Sequence, residues 1–148
     1  MRSIFYFLLL FVLVGCSSGS FEGKKDRVRY SLSELYDLVG DNGYNIKEKR
    51  EHSIVFETEK GEGVNLYLMP DGDLLLVFSI KSEHSNIEVM NKWNKSKRLS
   101  RGYIDDEGDP VVESDLIMSR GMTKENVSEF INVFTKETIP AFINEYDG

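Results

Sequence analysis

The side chains able to do chemistry in this chain are few, and their spacing argues against a catalytic centre. There are two histidines, His52 beside Glu51 and His84 beside Glu83. Both sit in polar, turn-like stretches, and neither spacing is that of a metal-ligand motif. They read as surface histidines. The acids Asp105, Asp106, Glu107 and Asp109 have the composition of a calcium loop. An EF-hand, however, needs ligands at alternate positions, a mid-loop glycine and a distal glutamate. Here the alternation fails and strand patterns flank the run, so it reads as a hairpin turning at Glu107-Gly108. Asp71-Gly72-Asp73 is a turn on the same ground. No serine stands in a Gly-x-Ser-x-Gly elbow, and no glycine-rich turn opens a helix to cradle phosphate. The sequence nominates no catalytic residue, no metal site and no cofactor.

The single cysteine, Cys16, follows a segment that is foreign to a folded domain. Arg2 gives a small positive start, and Ile4 to Val14 is an unbroken run of eleven apolar residues. A bilayer span needs about 20 such residues, whereas a signal-peptide core needs only about 7–15. The run ends in Leu13-Val14-Gly15-Cys16, followed by Ser17-Ser18-Gly19-Ser20. This resembles the lipobox of bacterial lipoproteins. The resemblance implies that residues 1–15 are a removed signal peptide, that Cys16 carries a thioether-linked diacylglycerol, and that its new amine can be acylated. A lone thiol in an oxidising compartment has no intramolecular partner, and a lipidated sulfur needs none. Two or three acyl chains anchor stably where one does not. Ser17, rather than the Asp that holds such proteins in an inner membrane, favours the periplasmic face of the outer membrane if the host is Gram-negative. Residues 16–29 read as a flexible tether, and about a dozen such residues span roughly 20 Å on average. The expectation is a protein held in the cell envelope.

The remainder, residues 30–148, has the size of one domain. A formal charge of −7, with 25 acidic against 18 basic residues, repels phosphate backbones and argues against nucleic-acid binding. Any membrane attachment therefore rests on the lipid rather than on a broad basic face.

The elements that must position any site follow from periodicity. Ser31-Leu32-Ser33-Glu34 has capping-box spacing before a helix through Val39, closed by Asn42-Gly43. Three or four strand signals follow, at 44–49, which is short and mostly polar, and at 53–58, 64–68 and 74–80, parted by Lys60-Gly61-Glu62-Gly63 and Pro70-Asp71-Gly72-Asp73. The run 74–80 is the most apolar and belongs inside the sheet. Ser85 or Asn86 caps a second helix carrying Ile87, Met90 and Trp93 on one side. A hairpin of 99–106 and 109–117 comes next, in which Pro110, lacking a donor, must begin its strand or lie on an edge. Thr123 caps a long last helix that Pro140 kinks. The plan is α+β: an antiparallel sheet of about five strands with three helices, in the order helix, strands, helix, hairpin, helix.

With this order in place, Trp93-Asn94, Arg101 and Tyr103, the turn 105–108, Asp115-Leu116 and Gly121 before Thr123 are similar to the YbjN family of bacterial proteins, described as sensory-transduction regulators. Gly43-Tyr44 extends the resemblance to residues 30–146. Pro110 and Arg120 depart from the family pattern. The resemblance implies a fold like that of type III secretion chaperones, small α/β proteins that often pair as homodimers and bind segments of other proteins. It brings no catalytic residues. Trp93, a residue type enriched in interface hot spots, and Tyr103 are the candidate partner-binding residues, although Trp93 beside Leu99 and Tyr103 also reads as core. Two alternatives stay open: an envelope enzyme using the acidic turn and histidines for metal-assisted hydrolysis, and a purely structural lipoprotein.

Overall fold

A computed structural model describes residues 28–84 and 86–147 of the chain. The expected signal peptide, Cys16, and the tether up to residue 27 lie outside the described residues. Helix α1, Leu32–Asp41, starts where its capping box predicts: the Ser31 amide donates to Glu34 Oε2 at 2.8 Å, and the Glu34 amide to Ser31 Oγ at 3.3 Å. Gly43, at φ 85°, then turns the chain back into the sheet. Strands β1 (Asn45–Lys49), β2 (Ser53–Glu57), β3 (Gly63–Leu68) and β4 (Leu74–Ser79) form an antiparallel meander.

Helix α2 (Ile87–Ser96) carries the chain over to β5 (Arg101–Ile104), and a tight turn leads to β6 (Pro110–Leu116). The sheet order is β1-β2-β3-β4-β6-β5, with every neighbouring pair antiparallel. Six strands form rather than about five. The extra one, β1, is mostly polar because it lies on an edge, with only Ile46 packed against the core. Pro110 opens its strand, where a missing amide breaks no ladder bond.

The helices pack on one face of the sheet. Alternate strand residues, among them Ile54, Phe56, Leu66, Leu76, Phe78 and Val112, meet Leu35, Trp93, Ile131 and Phe142 in one buried core. From α2, Met90 and Trp93 enter it, while Ile87 at the first turn stays exposed.

The last helix runs as α3 (Lys124–Val133) and α4 (Ile139–Asp147), joined by a π turn at Phe134–Thr138. Pro140 cannot donate to the carbonyl four residues back, and its ring crowds that carbonyl. The expected kink is taken up one turn earlier, where the Ile139 amide reaches back five residues to Phe134. Thr135, buried there, bonds the Ile131 carbonyl at 2.8 Å and lies 2.6 Å from the Tyr44 hydroxyl.

Both sheet edges are closed. On β1, charged side chains and a register shift between Ile46 and Glu48 discourage pairing. On β5, the Asn94 side chain takes the place of a neighbouring strand. The Gly102 amide donates to Asn94 Oδ1 at 2.8 Å, and Asn94 Nδ2 donates to the Gly102 carbonyl at 2.9 Å. Replacing Asn94 with Ala leaves the backbone of a buried glycine unpaired, at a cost of about 1–3 kcal/mol. Urea denaturation of Asn94→Ala should show that loss, and sedimentation should show new concentration-dependent association through the bared edge.

Candidate protein-binding face

Strand residues alternate between faces, so the helix layer accounts for only half of the apolar side chains in the sheet. The other half point away from the helices. Strand β4 is apolar at both parities: Leu74, Leu76 and Phe78 turn inward, Leu75 and Val77 outward. That pattern belongs to a strand covered on both sides. Register aligns Val55, Asn65, Val77, Glu113 and Arg101 in one row across five strands, and Ser53, Tyr67, Leu75 and Asp115 in the next. Val55, Tyr67, Leu75 and Val77 are all partly exposed. Among the described residues, no element covers this face.

One ion pair interrupts the apolar rows. Glu113, only 4% exposed, is covered by the guanidinium of Arg101 beside it. A buried carboxylate needs such a partner, since breaking the pair strands the charge.

The two residues expected to meet a partner fall on opposite sides of β5. Trp93 is 1% exposed, stacked edge-on against Phe142 at 5.1 Å, with its indole N–H donated to Ser100 Oγ at 3.2 Å. It offers no surface. Tyr103, 38% exposed, stands on the outer face opposite Val111. Sequence reading passed over Val55, Leu75 and Val77, although the unbroken apolar run of β4 was the available signal.

The polar candidates resolve into structural roles. His52 lies in the β1–β2 connection, 3.4 Å from Glu51, and His84 follows β4 at the opposite end of the sheet. They cannot share a ligand. Asp105 Oδ1 accepts from the amides of Glu107 and Asp109, both at 2.9 Å, folding the hairpin turn on itself. Asp109 accepts from Lys81 Nζ at 2.5 Å and from the Ser82 amide at 3.1 Å, while Lys81 also reaches Glu107 at 2.7 Å. Lys81 thus staples the exit of β4 to the hairpin tip. A cleft of 370 Å³ beside the π turn is lined by Tyr44, Glu62, Thr135, Lys136 and Pro140. Its hydroxyls are already engaged: Tyr44 donates to Asn132 Oδ1 at 2.9 Å.

The Lys81 ammonium, and then the Ser82 amide, hold the Asp109 carboxyl below the usual carboxylate range. A depressed folded-state pKa adds stability that is complete above the unfolded value of about 3.9 and is lost as pH falls through the folded one. Asp109→Asn should therefore be less stable than the wild type at pH 7. Urea denaturation at pH 7 and pH 3 should show that gap narrowing on acidification.

The model of the YbjN family, described as "Putative bacterial sensory transduction regulator", matches residues 31–142. Among solved structures, the crystal structure of YbjN, "a putative transcription regulator from E. coli", superposes with a TM-score of 0.70 at 18% identity. That match covers 82% of this chain and 94% of that one. The Yersinia pestis type III secretion chaperone SycH, solved in complex with a stable fragment of YscM2, superposes at 0.52 with 14% identity, covering 74% of this chain and 98% of that one. At these identities the likeness is one of fold. No curated protein gives a match.

Proposed function

The chain belongs to the YbjN family, and from that premise we propose that it is a lipid-anchored protein of the bacterial envelope whose domain binds another protein and performs no catalysis. The observation that carries the binding half is the outward-facing Leu75 and Val77 on β4, in a sheet whose two edges are closed. An apolar sheet face with no covering layer is the kind of surface that marks a protein contact. Closed edges direct a partner to that face rather than to strand addition. The fold neighbours described as a regulator and a chaperone support the same reading, and the SycH structure holds a fragment of a second protein. The anchoring half rests on Leu13-Val14-Gly15-Cys16 after an eleven-residue apolar run.

Each half has its own experiment. Cys16→Ser should move the protein from the membrane fraction to the soluble fraction, and unchanged fractionation would refute the anchor. For the face, Leu75→Lys places an ammonium between Tyr67 and Asp115, its neighbours in register, where a lysine is tolerated by the fold. Crosslinked capture from intact cells should recover a protein with the wild type and about tenfold less of it with Leu75→Lys at an unchanged melting temperature. Equal recovery from both would remove the face from the account.

A further inference from the structure

The tether read from the sequence ends in an ordered join. The Val28 amide donates to the Met122 carbonyl and the Met122 amide to the Val28 carbonyl, both at 3.1 Å. The Arg29 guanidinium donates to the Ser119 carbonyl at 3.2 Å. The chain therefore enters the domain at one end of the sheet, beside the β3–β4 turn, where the Met118 amide donates to Asp73 Oδ1 at 2.6 Å.

That end differs from the other in two ways. First, it gathers exposed apolar side chains. Leu99 is 83% exposed and Ile117 67%, with Val28 and Met69 also exposed nearby. Leu99 precedes β5 and Ile117 follows β6, so both lie at this end of the sheet. Leu99 is also the only non-glycine among the described residues with positive φ, at 61°. Its carbonyl accepts the Ser114 hydroxyl at 2.5 Å. A leucine held in a left-handed backbone is disfavoured, and such strain persists where the surroundings impose it. Here it aims an apolar side chain at solvent.

Second, charge is polarised along the strands. The turns at the far end carry Asp105, Asp106, Glu107 and Asp109 together with Glu59, Glu62 and Glu83, against Lys60 and Lys81. At the entry end, Arg29, Arg50, Lys97, Arg98, Arg120 and Lys124 offset Glu34, Glu51, Asp71, Asp73, Asp115 and Glu125, and Asp73 is turned inward on Met118, so this end is near neutral where the other is acidic. Lys24-Lys25-Asp26-Arg27, with three basic residues to one acidic, immediately precedes the join.

We propose that this end is a membrane footprint, in which Leu99 and Ile117 enter the headgroup layer of an anionic bilayer between Arg98 and Arg120. The proposal rests on the lipid anchor read at Cys16. A tether of the length read from the sequence for residues 16–29 would reach roughly 20 Å, which would keep the patch within reach of lipid and raise the effective concentration of the surface far above that of any free partner. Basic residues near an anionic surface attract it within a Debye length, while the acidic end is repelled, and the two together orient the domain.

The test uses the lipidated full chain in phosphatidylethanolamine–phosphatidylglycerol vesicles. Cys16 is the single cysteine, so Ser119→Cys or Asp106→Cys each adds one free thiol for a nitroxide. The ratio of collisions with oxygen to collisions with a water-soluble nickel chelate should be several-fold higher at 119 than at 106. It should fall to the 106 level in a Leu99→Asp/Ile117→Asp background. Equal ratios at the two sites overturn the proposal, as does spin–spin broadening at 119 that reports a second copy. The mass of the amino-terminal peptide judges the anchor separately. If Cys16 carries no lipid, the same vesicles are added to the unlipidated chain. Salt-sensitive sedimentation abolished by the Leu99→Asp/Ile117→Asp pair would keep the footprint, and its absence would overturn it.

Discussion

The close packing of α2 on β5 turns on the bare backbone at Gly102. A Cβ there would stand 3.1 Å from Trp93 Cδ1 and 3.2 Å from Met90 Sδ, closer than packed interiors accept without displacement. The bare backbone lets α2 lie directly against β5. The next residue, Asn94, then returns two hydrogen bonds to the same glycine. One dipeptide thereby supplies both the largest fully buried side chain and the cap on an open sheet edge. Asn94 thus caps the free edge of β5, whose other edge pairs with β6, and β6 in turn bridges to β4.

The binding geometry follows from that constraint. With Asn94 on one edge and a bulged, charged strand on the other, the sheet cannot readily accept another strand. Within the strands, the apolar side chains that the helices do not cover lie on the opposite face. Its rows are bounded by the Arg101–Glu113 pair and Asp115, so a partner on the proposed face would meet an apolar centre with a polar rim, the arrangement common to specific interfaces. Trp93 serves this face indirectly, by fixing the position of the strand that carries Tyr103.

How much of this was legible depended on how local each signal was. The Ser31–Glu34 capping box, the Asn42-Gly43 helix end, the Glu107-Gly108 hairpin and the Pro110 strand start are encoded within a few residues and appear where the sequence placed them. Trp93-Asn94 was visible as a pair, but its action on Gly102 crosses a helix end and a strand, and no periodicity reports a side chain standing in for a ladder partner. Strand β1 was hard to count because an edge strand with polar residues on both faces lacks the alternation that marks a half-buried one. Pro140 announced a helix defect. That the defect would be a π turn at Phe134–Thr138 depended on Thr135 finding Tyr44, ninety-one residues away in sequence.

The two surfaces, face and end, are compatible because of how the strands run. Strands β2, β4 and β5 begin at the end where the chain enters and finish at the acidic turns, while β3 and β6 return. At about 3.4 Å per residue, six or seven residues give the sheet a length of roughly 20 Å along that axis. On the proposed anchoring, a domain held by its entry end would stand upright on a bilayer, with the outer face of the sheet turned sideways and the acidic hairpin furthest from the lipid. Had Val28 been joined to the middle of the outer face, the anchor would press Leu75 and Val77 against the membrane and bar them from any protein. The join to Met122 is at the end of the sheet, so the proposed anchoring and recognition would occupy different sides of one small sheet.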